Sequence, residues 1–205
     1  QDEAMAEINH VFDEDEGRGR VICATGGGKT RVIYEAVMQG FKVRNFSLQV
    51  IVAPTIDLLR QHHEYFENFG VFHKDGIGAF HFRTGEEARS DDQTSYGQST
   101  RVHDLELIGQ QIIFVTYASE RKLFEGLRDL EITPDVCYWD EFHHTVRQDA
   151  DHRDHLLSLP SSRNIFFSAS QKRGRLVSSM DEEIYGPLLV EIPYKRPREM
   201  AVLVS

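Results

Sequence analysis

Between residues 4 and 12 the apolar side chains Ala4, Met5, Ile8, Val11 and Phe12 recur at helical spacing. An acidic stretch at 13–16 then leads into Gly17, which predicts a helix followed by a turn. Residues 20–24 form a short apolar run that ends in a glycine-rich loop. Val32, Ile33, Ala36 and Val37 then restore the helical period as far as Gly40. A second strand-to-helix unit follows, with a strand at 48–53, a turn and N-cap at Pro54 and Thr55, and Leu58, Leu59, His62, Phe66 and Phe69 on one helix face. Further strands are expected at 77–82, 111–117, 136–139 and 165–168, and a helix from near Ser119 carries Leu123, Leu127 and Leu130. Continuous apolar strands alternating with helices predict an α/β fold whose mainly parallel sheet is covered by helices on both faces. From Thr84 to Thr100 there is almost nothing to bury, so this stretch is expected to be a mobile loop.

Composition narrows the setting. The chain has 205 residues and is 40% hydrophobic, enough for one well-packed domain. Its formal net charge of -10 argues against a broad basic face for non-specific nucleic-acid binding. The two cysteines, Cys23 and Cys137, lie in apolar runs, which disfavours a disulfide framework and fits a reducing cytoplasm. No apolar run approaches the roughly 20 residues that span a bilayer, so no membrane partner is expected. Both ends read as cut from something larger.

Two short segments carry candidate chemistry. Gly26-Gly27-Gly28-Lys29-Thr30 stands between a strand and a helix, where backbone N–H groups and a helix N-terminus form an anion cradle suited to polyphosphate. Lys29 would reach the β- and γ-phosphates, and the Thr30 hydroxyl would ligate Mg²⁺. The general phosphate-loop pattern has glycine where this chain has Cys23. Asp140 and Glu141 directly follow a buried strand, at the sheet edge where ligands bind in such folds. Asp140 would hold Mg²⁺ and Glu141 would orient and deprotonate the attacking water. A metal site among His143, His144, His152 and His155 is disfavoured because no cysteine pair or His-Glu-x-x-His helix supports it. His62 and His63 are expected to face partly outward, and Trp139 to pack in the core.

Thr25-Gly26-Gly27-Gly28-Lys29-Thr30, followed by Asp140-Glu141-Phe142-His143, resembles motifs I and II of the DExH branch of superfamily-2 helicases. Pro54, Thr55 and Arg60 lie in a stretch resembling motif Ia, and Thr116-Tyr117 resembles a later strand-end motif. The resemblance implies that both touch nucleic acid. Ser168-Ala169-Ser170 resembles motif III, implying a link between the ATP site and the nucleic-acid groove, bridged by His143. The family commonly has threonine where this chain has Ser170, and proline where it has Gln171. Gln1 matches the glutamine that reads adenine in that family.

The resemblance is greatest to the ATPase module of type I and type III restriction enzymes and related bacterial defence helicases. It implies a RecA-like P-loop NTPase lobe over 1–173, with 174–205 leading towards a second lobe. It implies ATP and Mg²⁺ as ligands, nucleic acid as partner with DNA favoured over RNA, and a parent protein carrying nuclease or other domains. A P-loop kinase or GTPase, and a non-catalytic module switched by nucleotide, are the alternative readings. The first lacks support because no Asn-Lys-x-Asp guanine-reading motif occurs. Intact Lys29, Asp140 and Glu141 count against the second.

Overall fold

The computed structural model describes residues 2–15, 17–24, 26, 28–84, 98–99, 102, 108–147, 150–159, 161–170 and 181–193. Gln1, Thr25 and Gly27, together with Gln171, lie outside them.

The chain begins with α1 (Asp2–Asp13), β1 (Gly17–Cys23) and α2 (Lys29–Lys42), followed by β2 (Leu48–Ala53) and α3 (Ile56–Asn68). Next come α4 (Val71–Lys74), β3 (Gly78–Phe82), β4 (Gln98–Ser99) and β5 (Gln111–Thr116). Then follow α5 (Glu120–Asp129), β6 (Val136–Asp140), a 3-10 turn (Phe142–Arg147), α6 (Ala150–Leu157) and β7 (Arg163–Ser168). The last described elements are α7 (Glu182–Tyr185) and β8 (Leu188–Ile192).

The strands form one eight-stranded sheet in the order β4-β3-β5-β2-β6-β7-β1-β8, and every described pairing is parallel. Strand side chains alternate between two cores, as the pleat requires. Ile51, Ala53, Ile112, Phe114, Val136, Tyr138, Ile165 and Phe167 pack under α1 to α4. Val50, Val52, Ile113, Val115, Cys137, Trp139 and Phe166 pack under α5, α6 and α7. Both faces are therefore covered, which is why the strands read as unbroken apolar runs instead of alternating ones. Asp140 shares the parity of Val136 and Tyr138, so it points to the α2 and α3 side of the sheet.

Two hydrogen-bonded groups of buried polar side chains tie these layers together. The Tyr138 hydroxyl donates to Gln49 Oε1 at 2.6 Å, and Gln49 Nε2 donates to the Val37 carbonyl at 3.0 Å, joining β6, β2 and α2. Trp139 is fully buried and donates through Nε1 to Asn164 Oδ1 at 3.0 Å. Cys23 and Cys137 are buried free thiols. Among the described residues no helix is long and apolar enough to cross a membrane.

The structure departs from the sequence expectation in four places. β1 starts at Gly17, which the sequence placed in a turn. The polar stretch after Thr84 contributes a short strand at Gln98–Ser99. A helix, α6, follows the Asp-Glu segment. The segment beyond 173 supplies β8, which pairs with β1 and lengthens the sheet. Two arginines on β1 explain this last addition. Arg18 donates to the carbonyls of Leu156, Leu157 and Ile184, and Arg20 donates to the Gly186 carbonyl at 2.8 Å and pairs with Glu182. Those contacts satisfy carbonyls at the ends of α6 and α7 and tie the returning chain to the sheet edge.

Candidate nucleotide site

The loop between β1 and α2 is shaped by left-handed backbone. Gly26 has φ 79° and Gly28, the N-cap of α2, has φ 86°, a region that residues with a Cβ enter only at a cost. Gly28 offers no side-chain cap, so the first N–H groups of α2 are left for a ligand. Gly26, Gly28, Lys29 and Thr30 line a cavity of about 530 Å³ whose far walls include Glu141 and Ala169. That size lies within the usual range for small-molecule sites.

Lys29 and Glu141 are 112 residues apart in sequence, yet their side chains form an ion pair. Lys29 Nζ also lies 2.7 Å from Asp140 Oδ1. The Asp140 side chain is fully buried, whereas those of Lys29 and Glu141 are 15% and 22% exposed. Burial pushes the Asp140 carboxyl up. Its hydrogen bond and charge interaction with His62, together with Lys29, outweigh that and hold it below its ordinary value. Asp140 is therefore a carboxylate held ionised in a buried place.

Three more contacts complete the surroundings. His62 Nε2 lies 2.8 Å from Asp140 Oδ2, and the Tyr117 hydroxyl donates to the Asp140 carbonyl at 2.9 Å. His143 Nδ1 lies 2.8 Å from Ser168 Oγ and 3.1 Å from Glu141 Oε2. Since Ser168 Oγ donates to the Ser170 carbonyl at 2.9 Å, Nδ1–H is the donor towards Ser168. Glu141 itself has φ 54°. A non-glycine residue in the left-handed region carries strain of about 1–3 kcal/mol, a pattern found at functional sites.

A triphosphate with a divalent cation suits this donor set. The cradle supplies N–H groups and a cation for phosphate oxygens, and the Thr30 hydroxyl and Asp140 carboxylate are hard oxygen donors of the kind Mg²⁺ prefers. Asp140 Oδ1 faces the Lys29 ammonium and Glu141 Oε2 lies 3.1 Å from His143 Nδ1, so a ligand at either oxygen would replace or share a charge contact.

The residues expected to meet nucleic acid gather at one sheet edge. Ala53 and Thr116 are register partners, and the Tyr117 N–H donates to the Ala53 carbonyl at 3.0 Å, so Pro54 and Tyr117 follow neighbouring strand ends. Thr55 caps α3 by accepting from the Leu58 N–H at 3.2 Å. Arg60 pairs with Asp57 at 3.1 Å on the outer part of the same helix. The Thr116 side chain is fully buried at the end of β5, so a contact with a ligand there falls to its backbone or to Tyr117.

His62 and His63 correct the sequence reading. Both are buried, one against Asp140 and the other against His81. The available signal was the helix period, which already put His62 on the apolar face of α3. Nothing local pointed to the Tyr117 contact with Asp140.

Residues 1–173 match the ResIII family, described as the Type III restriction enzyme, res subunit. No curated protein matches the chain. Among solved structures, a nuclease-deletion mutant of the Type ISP restriction-modification enzyme LlaGI, in complex with a DNA substrate mimic, is similar at 22% identity and TM-score 0.71 over 98% of this chain. The match covers 20% of that chain, so the present chain spans about a fifth of that relative. The Sulfolobus solfataricus SWI2/SNF2 ATPase core in complex with dsDNA is similar at 14% identity and TM-score 0.55, over 81% of this chain and 30% of that one. The UvsW helicase from bacteriophage T4 is similar at 13% identity and TM-score 0.54, over 89% and 58% of the respective chains. The chain belongs to the ResIII family, and its RecA-like fold is the one these solved structures share.

Proposed function

We propose that this lobe binds ATP with Mg²⁺ and, joined to a second RecA-like lobe, hydrolyses it to drive movement along or opening of nucleic acid, DNA in preference to RNA. The observation that carries the reading is the Lys29 ammonium held between the Asp140 and Glu141 carboxylates at the mouth of a glycine cradle. On nucleotide binding, Lys29 exchanges these carboxylates for the β- and γ-phosphates. That frees Asp140 Oδ1 and, with the Thr30 hydroxyl, makes a place for Mg²⁺. A divalent cation held by Asp140 and Thr30 would supply positive charge against the phosphates. Glu141 orients the attacking water and takes its proton, and the His143–Ser168 contact carries the state of that site to the segment after β7.

Gln1, Thr25 and Gly27 complete the nucleotide contacts in this reading. Phosphates of the nucleic acid lie across Pro54, Thr55, Arg60 and Tyr117, met by backbone N–H groups and the N-terminus of α3, which suits an acidic chain. DNA is favoured because the LlaGI and SWI2/SNF2 structures are described with DNA. Closure of the second lobe brings an arginine worth on the order of 10³-fold in related nucleotide hydrolases, so this lobe alone is a weak ATPase. In this reading the parent protein carries a second lobe with nuclease or other domains and works in the cytoplasm.

ATP hydrolysis by the full-length protein tests the reading, without nucleic acid and with single-stranded DNA, duplex DNA or RNA. Many-fold stimulation by one of them, abolished by Lys29→Ala and by Glu141→Gln, supports a motor. Nucleotide binding with turnover at the level of the variants under every condition replaces it with a nucleotide-switched interaction module.

A further inference from the structure

His62 has no part in the phosphate loop or in the acidic pair, yet it is fully buried on α3 with its Nε2 2.8 Å from Asp140 Oδ2. Asp140 pairs through Oδ1 with the Lys29 ammonium at 2.7 Å and as a carboxylate can only accept, so Nε2 carries the proton and donates. The other ring nitrogen, Nδ1, is buried without a hydrogen-bond partner among the described residues. A buried, half-satisfied imidazole is a costly way to fill space, since an apolar side chain would pack there without an orphaned polar atom. The bond to Asp140 is what the ring supplies in return.

The geometry divides the two oxygens of Asp140. His62 holds Oδ2 from the α3 side, and Oδ1 faces Lys29 and the cavity mouth. The Tyr117 hydroxyl fixes the backbone carbonyl of the same residue. Rotation about the Asp140 side chain would break the His62 bond, so the oxygen presented to the nucleotide side is set by α3.

We infer that His62 is a positioning residue for the divalent cation: by fixing Asp140 Oδ2 it aims Oδ1 at the metal that accompanies the nucleotide. This rests on the reading of the site as one for ATP with Mg²⁺. Partners that orient a metal-ligating group typically contribute 10- to 100-fold to metal affinity or activity.

The test is equilibrium binding of a fluorescent ADP analogue to the full-length protein, first in EDTA and then along a Mg²⁺ titration. His62→Leu keeps the volume and removes the donor, and His62→Gln keeps an N–H near the position of Nε2. The expected result is unchanged affinity in EDTA for both variants. The Mg²⁺ concentration for half-maximal enhancement then rises about 10-fold or more in His62→Leu and stays within about threefold of wild type in His62→Gln. If His62→Leu does not fold, His62→Met carries the same comparison. A Mg²⁺ requirement equal to wild type overturns the inference, as does equal loss of binding in EDTA or a His62→Gln variant as defective as His62→Leu. Absence of Mg²⁺-dependent binding in the wild type is a different result, because it removes the nucleotide-site reading itself.

Discussion

His143 Nδ1 and Ser168 Oγ meet at 2.8 Å across 25 residues of sequence. Parallel pairing of β6 with β7 sets Asp140 beside Phe167, so the turn just past β6 is delivered to Ser168 at the end of β7. The contact touches Glu141 on one side and the Ser170 carbonyl on the other. Ser168→Ala and His143→Ala are therefore expected to lower nucleic-acid-stimulated ATPase by about 10-fold, the worth of one neutral hydrogen bond, while nucleotide affinity shifts by less than about threefold. Parallel ATPase and nucleotide-binding assays check this, and equal losses in both would sink the linking role.

Lys29 and Glu141 share an ion pair but are expected to fail differently. Lys29→Ala removes the proposed phosphate ligand and one of the two cationic or donor partners of buried Asp140. It should weaken nucleotide binding by at least about 10-fold and lower stability by about 1–3 kcal/mol in urea titrations without nucleotide. Glu141→Gln keeps a neutral side chain of the same shape, so binding should persist while turnover falls by about 10²-fold or more. Turnover in Glu141→Gln within a few-fold of wild type would remove Glu141 from the chemistry.

Acid should loosen this fold well before carboxylates titrate. Burial is the main cause that pushes the His63 pKa down from 6.5 to about 4. For His81 burial, His63 and two arginines push it to about 3. Both rings are neutral in the folded state and take up protons in the unfolded chain below pH 6.5. Their contribution is intact above that value and is lost as pH falls towards 4, with a slope approaching about 1.4 kcal/mol per pH unit per histidine. Asp140, held below its ordinary 3.8, adds its own loss only at lower pH. Trp139, the single tryptophan and fully buried, reports unfolding by fluorescence. Urea titrations at pH 7.5, 6 and 5 should show the slope in wild type and its flattening in a His63→Leu, His81→Leu double variant. An unchanged slope there would assign the acid sensitivity elsewhere.

Gly186 sets the attachment of β8. Its φ is 74°, and a Cβ there would stand 2.4 Å from the carbonyl carbon and oxygen of Arg18. Gly76 has a similar φ of 68° with nothing within 4 Å of its would-be Cβ. Gly76→Ala should cost about 1 kcal/mol from backbone strain alone, and Gly186→Ala at least about 2 kcal/mol with faster amide exchange along Val190 and Glu191. Equal costs for the two would show that β8 yields freely.

Legibility followed the range of the interactions. Apolar runs at 48–53, 111–117 and 136–139 announced strands because a strand buried on both faces is written as a continuous apolar run in its own residues. β8 did not announce itself, with the burial pattern exposed, intermediate, buried, exposed, intermediate of an edge strand, and it depends on Arg18 and Arg20 from the far end of the chain. Likewise, α6 has almost no periodic apolar face, so the helix rests on its contacts.

By itself the sequence determined the parallel α/β class, the glycine cradle ahead of Lys29 and Thr30, and the adjacent carboxylates Asp140 and Glu141, since each is written in contiguous residues whose chemistry is local. Only the tertiary structure decided that Lys29 would reach across to those carboxylates, that His62 would turn inward to hold one oxygen of Asp140, and that Thr116 would be sealed in the sheet. Strand order and register settle such contacts, and they arise from packing two cores against one sheet, a property of the whole chain and of no segment in it.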